Sequence, residues 1–226
     1  MKLFINPYGG KGKAKNIFDL KVKELLDLSG VNYCFEETQK KNHVYETIIS
    51  NNFHPEEFDA IIGIGGDGLF NEIINGFLGR TNSCLDDIDV VLKKSKVKLG
   101  IIPAGSTDAI AICTSGFRNP IHSTLSILLG HNIDIDVTSI HSRDDSKFIR
   151  FSSCFVGYGF MGDTLQASEK NRSLGPIRYV FAGILSYLKK RTYNCNITLQ
   201  IEPKDGVPTD ASVCRTGWVF VYLFAY

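Results

Sequence analysis

Asp67 is the side chain best placed to do chemistry, since it stands inside a turn with Gly65, Gly66 and Gly68. The apolar run 60–64 predicts a short buried strand before this turn, and an amphipathic helix follows it. Glycines let the backbone turn sharply against a ligand, and the start of a helix attracts phosphate. A carboxylate there could hold Mg2+ through water or take a proton from an attacking hydroxyl. The alternative is that Asp67 only caps the helix.

A second turn of similar composition follows the strand predicted over residues 2–5. It begins at Asn6 and then contains three glycines and two lysines: Gly9, Gly10, Lys11, Gly12 and Lys13. It is not a P-loop, because no Ser or Thr follows its lysine at the required place. Its backbone N–H groups and lysines could face phosphate, or the segment could be a solvated basic loop.

A third turn follows the strand predicted over residues 97–102 and contains Gly105, Ser106, Thr107 and Asp108. This turn could also receive phosphate at the start of the next helix. Ser, Thr and Asp are favoured helix N-caps, so plain capping of that helix is the alternative.

All three turns stand between a strand and a helix, which is typical of a parallel sheet with helices on both faces. Ligands of such sheets bind beyond the carboxyl ends of the strands, so we expect one nucleotide cleft along that edge. After Asp67, the apolar residues Leu69, Ile73 and Phe77 recur every four residues and predict a core-facing stripe. The remaining elements predicted in this half are a strand at 31–36 and helices at 43–49 and 121–129.

The pattern changes at residue 134, where strand-like segments follow one another without a helix between them. The predicted fold class is therefore α/β. We expect a three-layer nucleotide-binding domain over residues 1–133 and an incomplete, mainly antiparallel β domain over residues 134–226. The second domain includes one amphipathic helix, with these apolar residues on one face: Ile177, Phe181, Ile184, Leu185 and Leu188.

Composition excludes several classes of protein. The net charge of +1 gives no overall field that would recruit nucleic acid or an anionic membrane. Six cysteines without a CxxC pair argue against a metal site or a disulfide scaffold and fit a reducing compartment. We expect no signal peptide and no membrane-spanning segment. Gly63, Gly65 and Gly68 also match the dinucleotide fingerprint, but Asp67 would then lie where pyrophosphate binds.

Three blocks of the sequence together resemble a known family. FINPYGGKGKA, IIGIGGDGLFNEIINGF and GIIPAGSTDAIA, in this order, resemble the signature blocks of the diacylglycerol kinase catalytic family. That family includes bacterial diacylglycerol kinases, sphingosine kinases and ceramide kinases. GSTD at residues 105–108 resembles the ceramide kinases, whereas sphingosine kinases usually carry a GSGN-type sequence. Segments 136–141, 157–163 and 168–179 also look like ceramide kinases.

The resemblance implies transfer of the ATP γ-phosphate to the primary hydroxyl of ceramide, with Mg2+. The alternatives are phosphorylation of sphingosine or diacylglycerol, or an inactive fragment that binds nucleotide or lipid. Asp67 aligns with the family's proposed general base, and Asp163 with the acidic residue that binds the sphingoid headgroup. No metal ligand is assigned. The implied nucleotide-binding residues are Asn6, Gly9, Gly10, Lys11, Gly12, Thr38, Gly65, Gly66, Gly68, Glu72, Gly105, Ser106, Arg172 and Arg178.

The implied partner is ceramide or a related lipid, reached at a membrane surface by a cytoplasmic, peripheral protein that does not bind nucleic acid. Ceramide kinases usually carry a membrane-targeting domain of pleckstrin-homology type before the kinase blocks. Their second domain also usually continues beyond the point that this sequence reaches. The sequence is therefore expected to be a truncated kinase region, with residues 219–226 as an unpaired apolar strand.

Overall fold

The computed structural model describes residues 1–87, 90–171, 174–175, 177–189, 191–201, 209–217 and 220–223. Its contacts divide the chain into two compact units, with Met1–Cys154 in the first and Phe155–Phe224 in the second. The division that the sequence predicts, after residue 133, lies within the first of these units. In the part of the chain that is described, no helix is long and apolar enough to cross a membrane.

The first unit alternates strands and helices up to its last helix and then ends in a hairpin. Its elements are β1 (Lys2–Ile5), α1 (Ala14–Ile17), a π-helical turn (Phe18–Val22), α2 (Lys23–Ser29), β2 (Cys34–Glu37), α3 (His43–Ile49), a 3-10 turn (Pro55–Glu57), β3 (Ala60–Gly65), α4 (Asp67–Thr81), β4 (Lys98–Pro103), α5 (Ala109–Ser115), α6 (Pro120–Leu128), β5 (Thr138–His141) and β6 (Phe148–Ser152). The elements of the second unit are β7 (Val156–Gly159), α7 (Phe160–Glu169), α8 (Ile177–Leu188), β8 (Tyr193–Ile201), β9 (Thr209–Gly217) and β10 (Phe220–Leu223).

A four-stranded parallel sheet in the order β2-β1-β3-β4 forms the centre of the first unit. The register pairs Ile5 with Ile64 and Gly65 with Pro103, so the carboxyl ends of β1, β3 and β4 are level. This arrangement confirms the predicted α/β fold. It also brings the three glycine turns to one edge, because each turn follows one of these strands.

Both faces of the sheet are buried, since strand side chains alternate between them. On one face, Leu3, Ile62 and Ile64 pack in a cluster with Phe18 and other residues of the helix that follows the first turn. On the other face, a second cluster joins β1 and β3 to α3 and α4: Phe4, Ile61, Val44, Ile48, Leu69, Ile73 and Phe77. The predicted stripe of α4 is therefore the side that packs on the sheet.

A second stripe of α4 packs on the β5–β6 hairpin. Phe70 and Ile74 form a buried cluster with Phe151 of β6 and with Ile101 and Ile110. The amide of Asn75 exchanges two hydrogen bonds with the main chain of Phe151, donating to its carbonyl (2.9 Å) and accepting from its N–H (2.8 Å). These contacts explain why the hairpin belongs to the first unit, although its sequence pattern differs from that of the α/β part.

The second unit combines α7 and α8 with two antiparallel ladders, β7 with β10 and β8 with β9. Helix α8 carries its apolar residues on one face, as its sequence indicates. That face is exposed: Ile177, Phe181, Ile184, Leu185 and Leu188 are each at least 41% exposed. The face of α8 that is buried carries Arg178, Ala182 and Ser186.

Candidate active site

The three glycine turns pack against one another through bare main chain. A Cβ atom added at Gly105 would lie 2.5 Å from the Cα of Gly66, and one added at Gly10 would lie 2.6 Å from the carbonyl carbon of Gly105. Gly10 also has a φ of +58°, a conformation that side chains disfavour. Because these contacts are between backbones, any larger residue would push the turns apart. The structure thus brings together Gly10, Gly66 and Gly105, which the sequence assigns to nucleotide binding.

The hydrogen bonds of the sheet continue into the turns. Asn6 N–H donates to Ile64 O at 3.0 Å, and Ala104 N–H donates to Gly65 O at 2.8 Å. The Oδ1 atom of Asn6 accepts from Tyr8 N–H at 3.0 Å, which shapes the first turn as Asx side chains do. Asn6 therefore has a structural task in this turn, while Lys11 and Lys13 are exposed to solvent.

The start of α4 is open to solvent at the edge where the turns meet. Gly66 is the N-cap residue and has no side chain, and no side chain among the described residues caps this helix end. Gly68 is exposed, and a Cβ atom added there would find nothing within 4 Å. Helix N-termini with free N–H groups bind anions well. The packing around Gly68 thus gives no structural reason for a glycine at this position. A ligand lying against the main chain here would give such a reason, because it would need the space that a side chain takes.

Asp67 is the first residue of α4, and its carboxylate is turned away from its own helix. Its Oδ1 atom accepts a hydrogen bond from Ile110 N–H, at the start of α5, at 2.9 Å. The alternative that Asp67 caps its own helix is therefore not what the structure shows. The other carboxylate oxygen, Oδ2, has no hydrogen-bond partner within the described ranges of the chain. Asp67 is half-buried as a residue, and its Oδ2 atom is free to accept a proton or to bind a hydrated cation.

Asp108 lies under the third turn and is almost fully buried. It has a φ of +56°, and its Oδ1 atom accepts from Gly105 N–H at 2.8 Å. Its Oδ2 atom accepts from Arg118 Nε at 2.7 Å, and Arg118 Nη2 donates to Gly105 O at 2.7 Å. Burial raises the pKa of Asp108, the hydrogen bonds from Arg118 and Gly105 lower it, and the nearby charge of Asp67 adds to the increase.

Sequence reasoning identified Asp108 only as a possible helix cap. Asp108 does occupy the N-cap position of α5, but no side-chain hydrogen bond caps that helix. Its carboxylate turns back to Gly105 instead. Arg118 was missed altogether, because it lies outside the three sequence blocks and only its contact with Asp108 distinguishes it from an ordinary surface arginine. Ser106 is half-buried in the same turn.

Glu72 has a clear structural partner. Its Oε1 atom accepts from Asn42 N–H at 3.0 Å and its Oε2 atom from Val44 N–H at 3.2 Å, so it caps the start of α3. The role of Glu72 in nucleotide binding stays a prediction. Thr38 is buried at the carboxyl end of β2, where its N–H donates to Ile5 O at 2.8 Å. Its position is level with the first glycine turn, since both follow paired strands.

Two of the predicted site residues that the structure describes, Asp163 and Arg178, lie in the second unit. The Oδ2 atom of Asp163, in α7, accepts from Tyr193 OH at 2.7 Å and from Arg191 Nη1 at 2.9 Å. The hydrogen bond from Tyr193, followed by that from Arg191, holds the pKa of Asp163 below its usual value. Burial raises the pKa of Tyr193, and its hydrogen bond to Asp163 adds to this. Asp163 is therefore a carboxylate anchored by two donors.

Arg178 is buried in the second unit, where its Nη2 atom donates to Tyr179 OH at 2.7 Å. The same nitrogen lies 3.7 Å from Glu169 Oε1. The Nε atom of Arg178 is buried and has no hydrogen-bond partner among the described residues. Binding of phosphate by Arg178 stays a prediction. Arg172, the other arginine predicted to bind phosphate, lies outside the described residues.

The opposite end of the sheet, before β3 and β4, carries a surface cavity of about 340 Å³. The residues that line it include Pro55, Glu56, Phe77, Arg80, Thr81, Ser95 and Val97. None of them belongs to the glycine turns, so this cavity takes no part in the chemistry of the candidate site.

Comparison with known proteins gives one family. The sequence profile described as the diacylglycerol kinase catalytic domain matches residues 1–140. The chain is 37% identical to human ceramide kinase over 221 residues, which is 95% of this chain and 40% of that protein. It is 33% identical to ceramide kinase 1 of Caenorhabditis elegans, covering 94% of this chain and 40% of that protein. The chain thus spans about two fifths of the length of these relatives.

The chain is also similar to a kinase of sphingoid bases and to a solved diacylglycerol kinase structure. Sphingoid long-chain bases kinase 1 of Arabidopsis thaliana is 31% identical over 87% of this chain and 25% of its own length. Among solved structures, a diacylglycerol kinase from Bacillus anthracis superposes with a TM-score of 0.56 at 20% identity. That superposition covers 93% of this chain and 60% of the bacterial chain, and it shows a shared fold.

Proposed function

This chain belongs to the diacylglycerol kinase catalytic domain family, and we propose on that premise that it transfers the γ-phosphate of ATP to the primary hydroxyl of ceramide. The product of this reaction is ceramide 1-phosphate. The observation that carries the proposal is the position of Asp67. Its carboxylate lies at the open start of α4, beside the point where three glycine turns meet, and its Oδ1 atom is held by Ile110 N–H.

The turns supply the site for the phosphates of ATP. Bare main chain at Gly10, Gly66 and Gly105 lets phosphate oxygens approach backbone N–H groups, and the dipole of α4 favours their negative charge. Phosphoryl transfer requires little covalent chemistry from the protein, so positioning and electrostatic stabilisation provide most of the rate. This is why three glycine turns on one rigid sheet edge suit the reaction.

Asp67 accepts the proton of the attacking hydroxyl. As the lipid oxygen forms its bond to the γ-phosphorus, the bond to the β,γ-bridging oxygen breaks and ADP leaves with that electron pair. The proton passes from the hydroxyl to Oδ2 of Asp67, the oxygen left without a partner in the described structure. The hydroxyl becomes acidic only as the new bond forms, so a carboxylate is a strong enough base late in the transfer. No covalent enzyme intermediate is needed.

The residues present fit a magnesium ion bound mainly by the nucleotide. The described residues contain no group of three or more His, Cys, Asp or Glu side chains that could hold a metal ion. Mg2+ usually keeps several waters and binds one or two carboxylates together with substrate phosphates. Asp67 can meet such an ion through water with its Oδ2 atom. The ion would neutralise charge on the β- and γ-phosphates.

Ceramide is the proposed acceptor because the relatives named as ceramide kinases are 33–37% identical to this chain over most of its length. Asp163 is proposed to bind the polar headgroup, where its carboxylate would accept hydrogen bonds from the amide N–H or the 3-hydroxyl. The hydrogen bond from Tyr193, followed by that from Arg191, lowers the pKa of this carboxyl further, so the carboxylate stays ionised to lower pH than an ordinary aspartate. Since ceramide resides in membranes, we propose that the protein works at a membrane surface from the cytoplasmic side.

The experiment is phosphate transfer from labelled ATP to ceramide, sphingosine or diacylglycerol, each in detergent micelles. We compare the wild-type chain with Asp67→Asn and with a control, Asp59→Asn. Asp59 is an exposed aspartate directly before β3, at the far end of the same strand. We expect Asp67→Asn to abolish turnover with ceramide and to leave ATP binding largely intact, while Asp59→Asn resembles the wild type.

Three results would count against the proposal. Near wild-type turnover of Asp67→Asn would remove Asp67 from the role of base. Transfer to sphingosine or diacylglycerol, and not to ceramide, would replace the proposed acceptor. ATP binding without transfer to any of the three lipids would support the alternative that this chain only binds nucleotide.

A further inference from the structure

We propose that Arg118 is a positioning residue, which holds the third glycine turn in its phosphate-receiving conformation by pairing with buried Asp108. This inference rests on the proposed function, because the turn matters only if it receives the phosphates of ATP. Arg118 lies between α5 and α6, outside all three sequence blocks that resemble the kinase family.

Arg118 and Asp108 together bind both main-chain groups of Gly105. Asp108 Oδ1 accepts from Gly105 N–H at 2.8 Å, and Arg118 Nη2 donates to Gly105 O at 2.7 Å. The two side chains are joined by Arg118 Nε and Asp108 Oδ2, 2.7 Å apart. The main chain of Gly105 is therefore fixed from both sides by one closed ring of hydrogen bonds.

Gly105 is also the point through which the other two turns are held. Its main chain lies against the main chains of Gly66 and Gly10. A Cβ atom added at Gly10 or at Gly66 would lie within 3.0 Å of a main-chain atom of Gly105, and one added at Gly105 would lie equally close to Gly66. A displacement of Gly105 would consequently change the contact among all three turns. This is how a residue outside the turns can control the geometry of the phosphate site.

Arg118 also balances charge. The Asp108 side chain is only 1% exposed, and Asp67 adds a second carboxylate nearby. Without a cation, a buried carboxylate next to the triphosphate site would be unpaired and would repel the nucleotide. The Arg118 side chain is 49% exposed, so its guanidinium reaches Asp108 from the surface. Lysine offers a point charge without the planar fork and could not bind Asp108 and Gly105 O in the same way.

The competing explanation is that Arg118 binds phosphate directly with the part of its guanidinium that is exposed. The variant Asp108→Asn distinguishes this explanation from the proposed positioning role. In Asp108→Asn the side-chain oxygen can still accept from Gly105 N–H, but no buried negative charge requires Arg118. If Arg118 acts mainly through Asp108, its loss costs less in the Asp108→Asn background, where only its hydrogen bond to Gly105 O is still to be lost. If Arg118 touches phosphate, its loss is equally harmful in both backgrounds.

The test measures kcat, the KM for ATP and the KM for ceramide for Arg118→Met, Arg118→Lys, Asp108→Asn and the double variant Asp108→Asn/Arg118→Met. We expect Arg118→Met to raise the KM for ATP by about tenfold or more, because it leaves a buried charge unpaired. Arg118→Lys should recover only part of this loss. The double variant should return to within about threefold of Asp108→Asn. The KM for ceramide should not change. The matched control is Arg143→Met, because Arg143 is an exposed arginine in the β5–β6 loop.

A second measurement does not depend on activity or ATP. Hydrogen–deuterium exchange of peptides that contain the Gly105 amide should be faster in Arg118→Met than in the wild type, and unchanged in Arg143→Met. An equal loss of ATP affinity in Arg118→Met and in the double variant, or unchanged exchange at Gly105, would overturn the inference. Failure of the proposed function is distinct, because it would appear in the wild-type chain itself, as absent ATP binding or as absent transfer of phosphate to ceramide.

Discussion

Replacement of Gly68 by alanine tests whether a glycine is needed here for the fold or for binding a ligand. Gly68 is the second residue of α4, its φ is not positive, and an added Cβ atom meets nothing within 4 Å. Alanine is a better helix former than glycine by up to about 1 kcal/mol. In the protein without nucleotide, Gly68→Ala should therefore leave the free energy of unfolding unchanged or raise it by that amount. For a chain of this size, about 1 kcal/mol corresponds to a rise in Tm of about 2–4 °C.

The effect on ATP should have the opposite sign. If phosphate lies against the main chain at the start of α4, the new methyl group occupies space next to it. Forced contacts of this kind cost about 1–3 kcal/mol. Since 1.4 kcal/mol is a tenfold change in affinity, the KM for ATP should rise by about fivefold to more than a hundredfold.

Gly79 provides the matched control for this prediction. It is exposed in the same helix, near the other end, and an added Cβ atom there also meets nothing within 4 Å. Gly79→Ala should raise the Tm in the same way and leave the KM for ATP unchanged. The measurements are thermal unfolding with and without ATP, and the KM for ATP. A lower Tm for Gly68→Ala without nucleotide, or an unchanged KM, would refute the argument that phosphate requires the glycine.

Three further predictions concern stability and charge. Ile73 is 0% exposed between α4 and the sheet, so Ile73→Ala should lower the free energy of unfolding in urea by about 2–5 kcal/mol; a loss below about 1 kcal/mol would contradict the packing described. Glu72→Ala removes the cap of α3 and should lower the free energy of unfolding by about 0.5–2 kcal/mol. A rise in the KM for ATP would support the predicted nucleotide role of Glu72, and an unchanged KM would leave Glu72 as a cap only. Tyr193→Phe removes the largest cause of the lowered pKa of Asp163, so the pKa of that carboxyl, followed by NMR, should rise towards its ordinary value. Because the pKa is lower in the folded protein, Asp163 contributes stability that is present above its unfolded-state pKa and is lost as pH falls through the folded value. Tyr193→Phe should reduce that contribution, and an unchanged pKa would show that the hydrogen bond does not control the group.

Much of the first unit could be predicted because its signals are local. The run 60–64 and the stripe of Leu69, Ile73 and Phe77 define a strand and a helix through periodicity alone, and both are confirmed. The order of turns along the chain then predicts one shared edge, because parallel strands carry their carboxyl ends to the same side. Helix α3 spans His43–Ile49, the range that the sequence predicts.

Contacts between distant residues could not be predicted in this way. Asp108 looks like a helix cap in the sequence, and only the fold brings it against Arg118 and Gly105. The family resemblance assigns Glu72 to nucleotide binding, and only the fold shows that its carboxylate also accepts from the N–H groups of Asn42 and Val44, which are about 30 residues earlier. Patterns of apolar residues specify which face of an element is buried and leave open which polar partner each side chain finds.

The contact between Asn75 and the β5–β6 hairpin bears on how this protein avoids sticking to its own copies. A strand at the border of a ladder presents main-chain groups that can recruit a strand from another molecule. At Phe151 both of these groups are already occupied, because the amide of Asn75 offers the donor and acceptor that a neighbouring strand would offer. At this position of β6, a single helical side chain thus makes the two hydrogen bonds that a third strand would make.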